Sequence, residues 1–278
     1  MYASLRRPSG PCPEELALSV LEQRLESGKF KVPLLPSSAQ LILRAATQAS
    51  PDIAAISAAL HRDAAIASHV LRLSNSSVYR GAYPIVSLDQ AVVRLGAKKL
   101  QEIALIVGCK SIVLRADGYE SDLRRILRHG FATALTAQGI ARLLRQDPEQ
   151  AFLQGLIHDV GELVVIHTAI GSPSGSPERN VVLRLAEQHH TAASIRVVEQ
   201  WELMTSLCDV IAAHHDPQPP PHVRTDVRRL QLAEELVSDC EDADRVLACV
   251  ECLEIYPDML DTLRKHAEAA KAQAEETL

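Results

Sequence analysis

The sequence predicts an all-α protein, and three observations carry that expectation. Apolar residues fill 47% of the 278 positions, yet aromatic residues fill only 3%. The core must therefore be built from Leu, Ala, Val and Ile, which suits packed helices. Apolar side chains recur at three-to-four spacing from end to end, and no convincing period-two run interrupts them. Helix starts that combine Ser or Asp with Pro recur along the chain.

Taken in order, "SPDIAAISAAL" offers Ser50 as N-cap, Pro51 at the first helical position and Asp52 in the first turn. "RDAAIASHVLRLSN" follows, with Asp63 as cap. "SLDQAVVRLG" starts after Ser87 and stops at Gly96, a glycine suited to a helix C-terminus. "AKKLQEIALIVGCKSIV" continues with one apolar face. "SDLRRILRHGFATALTAQGIARLLRQ" predicts a long helix through Leu123, Ile126, Leu127, Phe131, Ala134 and Leu135. Asp147 and Pro148 open the next one. Further helices are expected over Glu178–His189, Ala192–Glu202, Thr205–His214, Asp226–Ser238, Asp242–Ile255 and Asp258–Ala274. Two segments break the pattern. Gly171–Glu178, "GSPSGSPE", predicts a mobile loop that protease cuts early. Asp216–His222, "DPQPPPH", must be extended, because consecutive prolines exclude helix. The polar, Ala-rich end predicts a fraying helix.

Composition narrows the function. The net charge of −6 disfavours nucleic acid as a main partner, since nonspecific binding needs a large basic surface. The segment "VVRLGAKKLQEIALIVG" has a helix-turn-helix look, but Lys98 and Lys99 are its only local basic pair, and a core helix pair explains the same pattern. No apolar run reaches the length of a membrane span, and the first residues show no secretory h-region. A cytoplasmic location with reduced thiols is expected. Cys249 and Cys252 form a CxxC without a second pair at zinc spacing, so buried thiols are the expectation there.

Histidine is unevenly distributed. Seven of the eleven lie between His129 and His215. Helices carrying His129, His158, His190 and His214 can pack side by side and bring their imidazoles into a bundle core. Imidazole with carboxylate suits Fe, Mn, Zn or Ni, as one ion or two, and Asp159 could bridge a pair. The alternative stays open: histidines on helices are usually surface or capping residues, and adjacent ones such as His214 and His215 point about 100° apart.

The order His129, His158-Asp159, His190, His214-His215 resembles the HD superfamily of metal-dependent phosphohydrolases. The closer likeness is to one branch, the HDOD (HD-related output domain) family. It covers about Phe30 to Val237. "VPLLPSSAQLILRAATQASPDIAAISAALHRDAAIASHVLRLSNSSVY" resembles that family's N-terminal half, and "SLDQAVVRLGAKKLQEIAL" its central helix pair. "LRHGFATALTAQGIARLL", "AFLQGLIHDVGELVV", "HTAASIRVVEQWEL" and "IAAHHDP" resemble its HD-like half. The resemblance implies a tail and leading helix over residues 1–29, an HDOD domain over 30–237 and C-terminal helices over 238–278. Within the domain it implies a smaller N-terminal lobe to about Gly118 and an HD-like bundle from Tyr119.

The resemblance also implies a ligand set: His129, the His158-Asp159 pair with Asp159 bridging, His190, and then His214 and His215. The superfamily's last aspartate falls near Glu234, which reaches one methylene further. Asp159 is the only catalytic candidate. Two departures stand out. Catalytic relatives often read HD-x-G-Lys, whereas Glu162 occupies the lysine position here. The GYP segment of cyclic-di-GMP phosphodiesterases is missing. Arg125 and Arg128, beside His129, are candidates for a phosphate rim or for a solvated face. The family is regarded as regulatory and often follows receiver modules in bacterial proteins. The expectation is a non-catalytic signalling module that acts through signalling-protein partners or a small nucleotide-type ligand. The alternative is a metal-dependent phosphohydrolase acting on a nucleotide or cyclic dinucleotide.

Overall fold

The structure is a computed structural model that describes residues 13–278, except 47, 49, 77, 78, 80–82, 114–117, 173 and 174, and no side chains before residue 16. Thirteen helices and no strands form among the described residues. The N-terminal half holds α1 (Pro13–Glu26), α2 (Ser37–Ala46), α3 (Ile53–Leu60), α4 (Ala64–Ser74) and α5 (Leu88–Val113). The second half holds α6 (Glu120–Leu143), α7 (Pro148–Ile157), α8 (Val160–Ile170), α9 (Arg179–Gln200), α10 (Ser206–Ala213) and α11 (Arg224–Val237). Two more helices, α12 (Ala243–Leu253) and α13 (Pro257–Thr277), close the chain.

The caps explain most boundaries. Asp63 accepts from the Ala65 and Ile66 amides, and Asp147 from Glu149 and Gln150 ahead of Pro148. Asp52, not Ser50, caps α3: its side chain accepts from Ala55 N, so Pro51 precedes the helix. Gly96, at φ 76° and ψ 164°, breaks α5 where the sequence places a stop, and the chain re-enters a helix at once. Glu178–His189 and Ala192–Glu202 are one helix, α9, because no breaker separates them.

The apolar core does not divide at Gly118. One cluster runs from Leu21 through α2–α10 to Ala274, so the two halves share it. Polar ties cross the same boundary. Trp201 Nε1 donates to Pro33 O at 3.1 Å, and Lys31 N donates to Thr168 Oγ1 at 2.9 Å.

The C-terminal helix is docked along its length rather than fraying. Leu263, Ala267, Ala270 and Ala274 are buried. His266 Nε2 meets Leu135 O at 3.0 Å, and Arg128 pairs with Glu275 at 2.8 Å. With Ala137, Ile140, Leu232, Leu236, Val246 and Cys249, Leu263 and Ala267 form a second cluster between α6, α11, α12 and α13. Small alanines let α13 approach α6 closely. Cys249 is buried in that cluster, whereas Cys252 is exposed, against expectation for it. The Asp216–His222 segment contains no helix, as its prolines require.

Ala267 is fully buried and Ala272 is exposed on the same helix. Ala267→Asp is therefore expected to destabilise the protein by roughly 3 kcal/mol, because it buries an unpaired carboxylate. Ala272→Glu should stay within about 0.5 kcal/mol of wild type. Urea unfolding curves measure both.

Candidate metal centre

The stretch Gly155–Glu162 places the His158-Asp159 pair by allowing two close helix approaches. A Cβ on Gly155 would stand 2.5 Å from Ala134 Cα, so only glycine lets α7 lie this close to α6. A Cβ on Gly161 would stand 1.9 Å from His190 O, so α8 touches α9 there. Between these contacts the chain turns from α7 into α8 with His158 and Asp159 at the corner. The buried Ser194 hydroxyl locks the corner: it donates to His158 O and accepts from Gly161 N, both at 2.8 Å.

Four of the seven candidate ligands, His129, His158, His190 and His214, come from different parts of the bundle and lie within 3.9 Å of Asp159. Its Oδ2 lies 3.0 Å from His158 Nε2 and 3.9 Å from His129 Nε2. Its Oδ1 lies 3.5 Å from the Nε2 atoms of both His190 and His214. His190 Nε2 lies 3.0 Å from His215 Nε2 and 3.3 Å from His214 Nε2. Glu234 joins through Oε1, 3.3 Å from His158 Nε2. Two groups thus share Asp159: His129 with His158, and His190 with His214 and His215. His189 and His167 fall outside both, and His167 instead meets Ile112 O.

The rings are oriented from behind. Nδ1 of His158 lies 2.8 Å from Gly155 O, Nδ1 of His190 2.6 Å from Glu187 O, and Nδ1 of His214 2.6 Å from Ile211 O. Each carbonyl is three residues earlier; those of Gly155 and Ile211 belong to the last turn of a helix, and that of Glu187 lies inside α9. A neutral ring that donates from Nδ1 leaves a bare lone pair at Nε2, as metal-bound histidines do. These lone pairs face one another across 3.0–3.3 Å. Two donor atoms about 2.0–2.1 Å from one cation stand roughly 3.0–3.4 Å apart in octahedral or tetrahedral geometry. His158 Nε2 and Asp159 Oδ1 are buried without hydrogen-bond partners. Mutually facing lone pairs and orphaned buried atoms fit a divalent cation.

The electrostatics agree. Burial and the charge on His158 push His129 down to about 4. Burial with its neighbours His214 and His190 pushes His215 down to about 4, and burial also lowers His190. These rings are neutral at pH 7 and ready to ligate. His158 is the exception: burial works against its charge, but Asp159 and Glu234 outweigh it and lift the ring to about 9, so it is protonated at pH 7 and a cation bound at Nε2 would have to displace that proton. Burial opposes the Asp159 charge too, yet His158, His214 and His190 hold that carboxyl well below its usual range. Burial pushes Glu234 up.

At the mouth, a cavity of about 280 Å³ is bordered by Arg125, Arg128, His129, Asp239, Lys271 and Glu275. Arg128 is paired with Glu275, and Lys271 with Glu268 at 3.0 Å. Glu162 does not border this cavity. It lies one turn into α8 from Asp159, where burial and the Asp159 charge push it up to about 7. The Gly171–Glu178 loop, which its place directly after the helix of the HD pair predicts near the pocket mouth, does not border it among the described residues. It follows the far end of α8, an 11-residue helix of about 16 Å, while Asp159 caps the near end. Residues 173 and 174 of that loop lie outside the described residues.

Sequence reasoning missed Ser194. A serine inside a helix carries no signal of its own, and its role appears only once α9 crosses the α7–α8 corner. Ser194→Ala leaves the buried Gly161 amide without its acceptor, at a cost of about 1–3 kcal/mol. The variant should also bind metal more weakly. Asp159→Ala should abolish binding at both groups, and His158→Ala should spare the His190 group. Elemental analysis of protein purified without a metal-affinity column, together with thermal unfolding, checks all three. Full metal content in Asp159→Ala would exclude the bridging role.

The chain is similar to several known proteins in sequence and in fold. A curated relative from Treponema pallidum, described only as an uncharacterized protein, is 22% identical over 196 residues. Ribonuclease Y of Acidothermus cellulolyticus is 26% identical over 152 residues. These alignments cover 66% and 51% of this chain but only 38% and 30% of the relatives, so the chain spans about a third of their length. Among solved structures, a "putative metal-dependent phosphohydrolase" from Shewanella amazonensis superposes with TM-score 0.74 at 17% identity, covering 95% of this chain and 100% of that one. An HDOD domain protein of unknown function from Geobacter sulfurreducens superposes with TM-score 0.67 at 21% identity, covering 95% and 99%. At these identities the likeness is one of fold. The family model described as the HDOD domain matches residues 32–217, two thirds of the chain, and the chain belongs to the HDOD family.

Proposed function

We propose that this chain is a bacterial HDOD signalling module that acts through protein partners or a small ligand and does not turn over phosphate esters. No helix among the described residues is long and apolar enough to cross a membrane, so its partners are sought in the cytoplasm. His129, His158, Asp159, His190, His214, His215 and Glu234 would hold one or two divalent ions. Such ions supply Lewis acidity and an activated water where a substrate can be positioned. The chain's own residues orient the rings, exclude solvent and balance the charge.

The observation that carries this reading is the charge around the centre. Phosphoryl chemistry needs free cationic donors where negative charge develops. Here Arg128 and Lys271 are engaged by carboxylates of α13. Glu162, beside Asp159, puts a carboxyl that is partly ionised near pH 7 in place of the lysine of catalytic relatives. A second reading, a metal-dependent phosphohydrolase acting on a nucleotide or cyclic dinucleotide, is favoured by the completeness of the two ligand groups around Asp159. The names of Ribonuclease Y and of the Shewanella protein point the same way.

Incubation of Mn²⁺- or Fe²⁺-loaded protein with a panel of phosphodiesters and nucleotides separates the two. Wild type is expected to be inert. Turnover that disappears in Asp159→Ala would establish the hydrolase instead. Glu162→Lys replaces the anion by a cation and should raise phosphate-ester binding about tenfold or more, read by calorimetry.

A further inference from the structure

A second cavity, of about 330 Å³, lies between the two halves of the protein and shares no residue with the metal centre. It is bounded among the described residues by α4, α5, α6, α7 and α13. Phe131, Leu135, Gln138 and Arg142 recur at helical spacing on one face of α6, nearly opposite His129. The walls are mostly apolar, with Ile103, Ile106, Leu135, Phe131 and Phe152, the two rings meeting edge to face. One end is polar. There the Lys99 ammonium pairs with the buried Glu102 carboxylate. Gln138 Nε2 donates to Glu102 Oε1 at 3.3 Å, and Lys99 Nζ stands 5.6 Å from the centre of the Phe152 ring. Arg142 adds a second cation at the opening, where His69 and His266 also stand.

We propose that this cavity binds a small amphipathic monoanion, a carboxylate carried on an aromatic or branched aliphatic body. The charge count selects the sign. Within the lining, Lys99 and Arg142 face the single carboxylate of Glu102, so one unit of positive charge is left over there, while Glu149 acts on Glu102 from outside the lining. Lys99 has three N–H donors and Glu102 engages one of them, which leaves donors for a second carboxylate. Burial pushes Glu102 up to about 7, so its carboxyl carries a proton much of the time near neutrality and does not repel that guest. A cationic guest would meet two cations. The apolar walls select the body. The size lies at the lower end of small-molecule sites, about 300–1,000 Å³, and excludes a cyclic dinucleotide. The site deepens the signalling reading, on which its regulatory use rests.

The test uses the full chain and three probes of one shape: 2-naphthoate, neutral 2-naphthamide and cationic 2-naphthylmethylammonium, titrated by calorimetry. The carboxylate should bind at least tenfold more tightly than the amide, and the ammonium should not bind. Arg142→Gln changes an exposed side chain and should lower naphthoate affinity about tenfold. Ala270→Phe fills the cavity from α13 and should abolish binding of every probe. Naphthoate should bind wild type equally well with and without EDTA, which separates this site from the metal centre and from the hydrolysis test. The proposal is overturned if the amide equals the carboxylate, if no probe binds, or if EDTA abolishes binding. Unchanged affinity in Arg142→Gln overturns it as well, and that variant decides alone if Ala270→Phe unfolds.

Discussion

The Asp159 carboxylate is the group around which the second half of the protein is arranged. A buried carboxylate costs several kcal/mol of desolvation, and only close opposite charge or ligation offsets this. Four imidazoles from α6, α7, α9 and α10 crowd around it within 3.0–3.9 Å. That crowding is possible only because Gly155 and Gly161 let neighbouring helices touch, and because Ser194 pins the corner between α7 and α8. Three of the rings, His158, His190 and His214, are held from turning away by Nδ1 contacts to carbonyls three residues back. Packing and ligation are therefore one constraint, and loosening the helix contacts loosens the donor set.

Much of this was legible before the structure. Asp63, Asp147 with Pro148, and Gly96 mark helix ends by local chemistry, and local chemistry is what a sequence displays. The ligand set was legible through resemblance to the HD pattern, not through spacing, which left surface histidines as a live alternative. What could not be read depends on contacts between distant segments. The Ala-rich end of α13 looks like a fraying helix because its partner, α6, lies more than a hundred residues earlier. Ser194 looks like any helical serine until α9 crosses the corner. The polar run His189-His190-Thr191 reads as a boundary between two helices, but an interior turn of one long helix, α9, tolerates it.

The charge pattern shows the same dependence on distant contacts. Arg125 and Arg128 precede His129 and read as a rim for phosphate. In the folded protein, α13 brings Glu275 to Arg128, so one of those charges is spent inside the molecule. Glu162 is moderated as well: its burial near Asp159 raises its pKa to about 7, which weakens the repulsion that its identity alone implies. The centre thus has a full set of candidate donors, and of the three cations at its mouth only Arg125 stands outside an ion pair among the described residues. Holding metal and handling phosphate are separable properties.

Helices α6 and α13 connect the two cavities physically. One face of α6 carries His129 and Arg128 toward the metal centre, and the other carries Phe131, Leu135 and Gln138 toward the interlobe cavity. Likewise, α13 places Lys271 and Glu275 at the first and His266, Ala270 and Gln273 at the second. A guest between these helices acts on their separation. Their separation sets the Arg128–Glu275 pair, and that pair governs how much positive charge the mouth of the metal centre presents. Coupling of this kind is reciprocal: whatever occupies the mouth and releases Arg128 from Glu275 must change the affinity of the interlobe site by the same factor. On the proposed signalling reading, a module built this way would transmit a signal by competition for one helix–helix contact, without breaking a covalent bond.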